Sequence, residues 1–364
     1  MNKEVVSNKQ AISIIILFLI GESSIFVEGI AAKKDLWLAI IITIMITLLL
    51  VTLFARLQSL FPGKDLFDII EICFGKYIGK VIIVLYTWFA FDLISFALID
   101  FGFMVKTVAF PETPILVPII FFATVCAYGA KAGIEVLGRW SKFFVVFPIF
   151  FVVFSTMLLI PKMDVINLFP VLYDGIKPVM EGVFLSFSFP FGYMIGLPLA
   201  LSCFQTRNSP YKAYIYGLLI GGTVILATSL TNLLVLGAEA LEDLYYPSYF
   251  TVSRIKIGEF LQRLEIISVI IYMMAGFIEL CIWITGASKG ITKLFHFKDY
   301  KFIVLPITLL AINLTTFEFR SVMHYFEWSR TIWQYYVLPF EAILPIIIWI
   351  AAEIIARKRT VHSD

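Results

Sequence analysis

Five carboxylic acids fall inside long apolar stretches of this chain: Glu22, Asp92, Asp100, Glu279 and Glu341. A carboxylate near the centre of a membrane helix costs roughly 2.5 to 3.5 kcal/mol on insertion scales, so each needs a partner or a purpose. Glu22 and Asp92 sit closest to the middle of their stretches. Either could hold a ligand ammonium, a cation or a proton. The competing reading is a hydrogen-bonded acid that ties helices together, to Asn232 or Asn313 for instance. Glu341, nearer one end of its stretch, could simply reach water.

Two stretches are also interrupted near their midpoints. Gly21-Glu22-Ser23-Ser24, followed by Ile25, breaks the first, and Ser186-Phe187-Ser188-Phe189-Pro190-Phe191-Gly192 breaks the sixth. Pro190 lacks an N–H and Gly192 is flexible, so a helix stops there. Irregular backbone at that depth is tolerated only where protein or a watery cavity surrounds it. The two half-helix ends offer N–H groups to a carboxylate and carbonyls to an ammonium, which together fit a zwitterion. Phe187, Phe189, Phe191 and Tyr193 could wall such a site, although with 36 Phe in the chain aromatic residues line most stretches. The pairs Gly192/Gly196 and Gly217/Gly221 read as close-packing surfaces.

Other chemistries are missing from the sequence. It contains no Walker A loop, H-E-x-x-H, G-x-S-x-G or C-x-x-C, so no catalytic residue is assigned. Cys73, Cys126, Cys203 and Cys281 are far apart, as are His296, His324 and His362. They read as buried small hydrophobes and scattered polar groups, with no metal site and no cofactor implied. A net charge of +2 leaves no nucleic-acid footprint.

The elements that must position these residues are membrane helices. Of 364 residues 60% are hydrophobic and 15% charged, and mean hydropathy is +0.95, which excludes soluble, fibrous and disordered classes. A spanning helix needs about 20 apolar residues. Ten candidates run over 10–31, 35–57, 78–105, 114–130, 140–160, 179–201, 211–236, 264–288, 300–317 and 333–356. They are apolar on every face rather than alternating, so the lipid-embedded class is all-α and not a barrel. Gly21-Glu22-Ser23-Ser24 interrupts the first stretch, which is too long and too broken for a signal peptide. With the N-terminus inside, eighteen Lys and Arg lie inside and ten outside, which places both termini in the cytoplasm. Breaks in the first and sixth spans predict a 5+5 inverted repeat, 10–160 and 179–356, within one transmembrane domain over 1–364. Residues 238–263 mix charge with apolar groups and predict short amphipathic helices over the outer mouth, either a lid or an interfacial rest.

Several segments together resemble a known family. Leu19 to Phe26 is similar to the broken first helix of the amino acid–polyamine–organocation superfamily, whose fold is LeuT-type. Phe61-Pro62-Gly63-Lys64, Phe74 to Gly79, Gly133 to Arg139, Leu168 to Gly175, Phe187 to Gly192 and Tyr249 to Arg263 resemble the B subunits of bacterial spore germination receptors. The resemblance implies a subunit in the spore inner membrane that senses a small nutrient such as an amino acid and acts with an A subunit and a lipoprotein C subunit. It also implies ligand-binding positions at Gly21, Glu22, Ser23, Ser24 and Ile25, at Ser186, Ser188, Phe189, Phe191, Gly192 and Tyr193, and around Asp92 and Tyr272. The chain departs from the family at Tyr193, where many members carry an acid, and at Glu22, where small polar residues are frequent in the superfamily.

Overall fold

The computed structural model describes residues 5–361 except 203, 205 and 256–262. Cys203, His362 and residues 256–262 of the expected lid lie outside the described residues. The helices are α1 (Asn8–Ile20), α2 (Leu36–Leu60), α3 (Leu66–Met104), α4 (Leu116–Ala132), α5 (Ile134–Phe144), α6 (Val146–Leu159), α7 (Ile176–Ser186) and α8 (Gly196–Ala200). There follow α9 (Ser209–Leu236), α10 (Ala238–Asp243), α11 (Pro247–Val252), α12 (Glu265–Phe295), α13 (Lys301–Glu318), α14 (Val322–Thr331), α15 (Trp333–Leu338) and α16 (Leu344–Val361). Eight helical stretches are long and apolar enough to cross a membrane, and α1 and α4 are shorter apolar helices. Together they occupy the ten stretches read from the sequence, and the chain is a multi-pass membrane protein.

The first break is deeper than a kink. A capping box starts α1, with Ser7 Oγ accepting from Gln10 N at 3.3 Å and Gln10 Oε1 from Ser7 N at 2.9 Å. After Gly21 the chain makes only a short tight turn over Glu22–Ser24, so the far half of this span is largely irregular. The serines explain the stop. Ser23 Oγ donates to Leu19 O at 2.9 Å and Ser24 Oγ to Gly21 O at 2.9 Å, which competes with continuation of the helix.

In the sixth span α7 ends at Ser186, Phe189 is extended (φ −159°, ψ 126°), and the chain resumes as α8 after Gly192–Ile195. The Phe189–Pro190 peptide is cis. The third span begins earlier than expected, because Asp65 caps a helix at Leu66. Gly75 (φ 70°) then bends Leu66–Phe74 away from the transmembrane part.

Small residues set the closest approaches between helices. A Cβ at Gly221 would lie 2.9 Å from Leu19 Cδ2, and one at Gly217 would run into Ile15, so α1 lies directly on α9. Gly196 similarly admits the Trp283 ring, 2.8 Å from where a Cβ would sit.

The two ends of the bundle close differently. On the face that carries the N-terminus, Arg56 Nε meets Glu353 Oε1 at 2.6 Å, and Gln58 Nε2 donates to Leu201 O at 2.6 Å. There Lys289 Nζ also donates to Ala200 O at 2.6 Å, and Lys293 Nζ meets Asp68 at 2.7 Å and Glu71 at 2.6 Å. The opposite face is covered by α11, where Ser248 N donates to Ile25 O at 3.3 Å and Ser248 Oγ to Phe26 O at 3.2 Å. Asn232 Nδ2 donates to Ser248 Oγ at 2.9 Å, so it braces this cover rather than a buried acid, and Asn313 is exposed.

Candidate functional site

Each broken helix turns a glycine toward a glutamate from a later span. At the first break, a Cβ on Gly21 would collide with the Glu279 carboxylate, whose Oε2 accepts from Glu22 N at 3.0 Å. At the second, a Cβ on Gly192 would collide with the Glu341 carboxylate. Glu341 is 0% exposed, which corrects the expectation that it reaches water. The reason is packing: the carboxylate is seated against Gly192 at the second break, and α14 precedes its segment on the outer side.

Asp100 completes this acidic interior. Tyr272 Oη donates to Asp100 Oδ2 at 2.7 Å, and the hydroxyls of Tyr246 and Tyr325 point toward the same carboxylate. Among the described residues no Lys or Arg ion-pairs with Glu22, Asp100, Glu279 or Glu341. Glu22 Oε1, Asp100 Oδ1 and both oxygens of Glu341 are buried and find no hydrogen-bond partner among the described residues. An ionised acid without a partner is costly at this depth, so each of these groups favours either a proton of its own or a positive charge beside it.

A cavity of about 130 Å³ opens above Glu22. Its walls are Phe26, Phe96, Ser188, Phe189, Tyr193 and Trp333, and its cover is Tyr245 and Phe326. Trp333 Nε1 donates to Ser188 O at 3.3 Å and so fixes the break in place. Phe26 meets Phe189 at 5.9 Å and Phe326 at 6.0 Å between ring centroids, and Tyr245 stacks on Phe326 at 4.6 Å. Aromatic faces over a carboxylate suit an ammonium.

Residues 5–321 match the family described as "Spore germination protein". The chain belongs to the spore germination protein family. Among family relatives it is 26% identical over 359 residues to spore germination protein KB of Bacillus subtilis (strain 168), covering 97% of this chain and 95% of that protein. It is 24% identical over 345 residues to spore germination protein A2 of the same organism, covering 91% and 92%. Among solved structures it is similar to Mhp1, a nucleobase-cation-symport-1 family transporter in a closed conformation with bromovinylhydantoin bound. The TM-score is 0.66 at 11% identity over 94% of this chain and 78% of Mhp1. That likeness carries the fold alone, a LeuT-type arrangement with helices 1 and 6 broken.

Within this family member the sequence-derived positions separate into lining and frame. Glu22, Ser188, Phe189 and Tyr193 line the cavity. Gly21, Ser23, Ser24 and Ile25 shape the first break through the contacts above, and Gly192 seats Glu341. Tyr272 acts through Asp100. Phe191 is buried behind the break, near Gly222, and the Ser186 hydroxyl is buried without a partner. Asp92 does not line this cavity; it faces the Tyr336 hydroxyl farther down α3. Glu28, Phe326 and Trp333 went unread as site residues. Glu28 stands at the edge of the first apolar run, and the aromatic pair lies in and beside α14, far from either break in sequence.

Proposed function

We propose that this chain is the nutrient-binding subunit of a germinant receptor, which takes a small solute with an ammonium group, an amino acid, into the cavity above Glu22. The observation that carries the reading is Glu22 itself, a buried acid without a basic partner at the broken first helix, under an aromatic cover. The subunit signals through an A-type membrane subunit and a lipoprotein C subunit, from a spore inner membrane with both termini cytoplasmic; the family resemblance and the eighteen-to-ten basic asymmetry support this placement. The paired glycine–glutamate contacts at the two breaks support halves at 10–160 and 179–356 as an inverted repeat.

A second reading, an ion-coupled amino-acid transporter, is favoured by the likeness to a symporter fold. Purified protein in liposomes separates the two. The receptor reading expects amino-acid-dependent thermal stabilisation without accumulation of label under a proton or sodium gradient. Accumulation would reassign the chain as a transporter, and an identical response from Glu22→Gln would remove the site from both readings.

A further inference from the structure

The cavity holds a second acid. Glu28 lines it with Glu22, is 5% exposed, and its Oε1 has no hydrogen-bond partner among the described residues. Its position is fixed from behind, because Glu28 N donates to Ser229 Oγ at 3.1 Å. Among the described residues no Lys or Arg ion-pairs with it. Among the described residues the one basic residue in the lining is Arg330, which is exposed at the mouth and donates to Glu242 O at 3.3 Å.

Charge balance then selects among ligands. With both carboxyls ionised, two acids and one arginine leave the described lining one negative charge in excess. A neutral zwitterion satisfies Glu22 and Arg330 but leaves Glu28 buried and unpaired, which is costly in a low-dielectric site. A ligand with a second cation removes that deficit. We infer that the solute is a basic amino acid, bound with its α-ammonium on Glu22, its carboxylate toward Arg330 and its side-chain cation on Glu28. The volume of about 130 Å³ restricts it to a single small molecule. Phe26, Phe96, Phe189 and Trp333 in the same lining add ring faces that attract a cation.

This inference rests on the cavity being the nutrient site, and the test keeps the two apart. Full-length protein in detergent is titrated with L-lysine, with L-norleucine, which has the same chain without the terminal amine, and with 1,5-diaminopentane, which lacks the carboxylate. Lysine should bind at least about tenfold more tightly than norleucine, since a site built for a polar group rejects the analogue that lacks it. Glu28→Gln should erase that difference by weakening lysine and tightening norleucine, and Glu28→Asp should retain it. Unfolding midpoints without ligand check that the variants are folded. Diaminopentane should bind more weakly than lysine because Arg330 goes unused. Norleucine binding as tightly as lysine, or a preference that survives Glu28→Gln, overturns the cationic assignment but leaves the nutrient site standing. Binding by none of the three at millimolar concentration overturns both.

Discussion

Replacing Gly192 by Ala isolates the contact between the second break and Glu341. Gly192 has φ −69° and ψ −25°, helical values that alanine adopts readily, so propensity alone would favour the substitution by about 1 kcal/mol. Sterics oppose it. The new Cβ would fall on Glu341 Oε2, 2.5 Å from Glu341 Cδ and 2.7 Å from the Phe187 carbonyl oxygen, and that oxygen belongs to backbone that cannot swing aside. Overpacking of this kind costs about 1 to 3 kcal/mol, enough to cancel the propensity gain and lower stability. Gly276→Ala supplies the opposite case. It lies inside α12 with its nearest neighbour, Phe122 Cζ, 4.0 Å from the added Cβ, so it should be neutral or stabilising by up to about 1 kcal/mol. Unfolding of the two variants in one detergent should therefore lower the midpoint for Gly192→Ala and leave it unchanged or raised for Gly276→Ala. Gly192→Ala combined with Glu341→Ala should be less destabilised than the sum of its parts, with a coupling of about 0.5 to 3 kcal/mol. A midpoint for Gly192→Ala at or above the parent protein, or strict additivity in the pair, would refute the packing argument.

Other outcomes follow from single contacts. Glu22→Gln should abolish stabilisation by amino acids while leaving the ligand-free unfolding midpoint near that of the parent, which equilibrium binding and thermal unfolding read separately. Tyr272→Phe removes the 2.7 Å donor to buried Asp100 and should cost about 1 to 3 kcal/mol in stability, measured by denaturant unfolding. Lys289→Met breaks the bond to Ala200 O and the 3.9 Å pairing with Asp65. It should speed the reaction of a thiol reagent with a cysteine placed at Leu201, and an unchanged rate would mean that Lys289 does not hold that face shut.

What could be read from the sequence was what local chemistry dictates. Gly21 with two serines, and Pro190 with Gly192, announce breaks because they remove or divert backbone hydrogen bonds wherever they occur. Glu22 was legible for the same reason, since it stands in one of those breaks. Convergence in space was not legible. Asp92 and Asp100 are two turns apart on α3, and which of them meets a partner depends on the depth of that helix relative to Tyr272. Glu341 read as a group near the surface because α14 could not be seen to extend its segment outward. Glu28 lay in an irregular stretch that apolar composition presented as the end of a helix.

The unequal closure of the two ends bears on what an occupied cavity reports. To open the N-terminal face, several charge-assisted bonds among at least five helical segments must give way together, while on the other side the described barrier is a few rings and the neutral hydrogen bonds that Ser248 makes at the edge of α11. In the proposed receptor the solute therefore exchanges mainly with the compartment on the α11 side. Occupancy of that site then follows the concentration of the solute in that compartment, and the solute concentration beyond the sealed face does not enter.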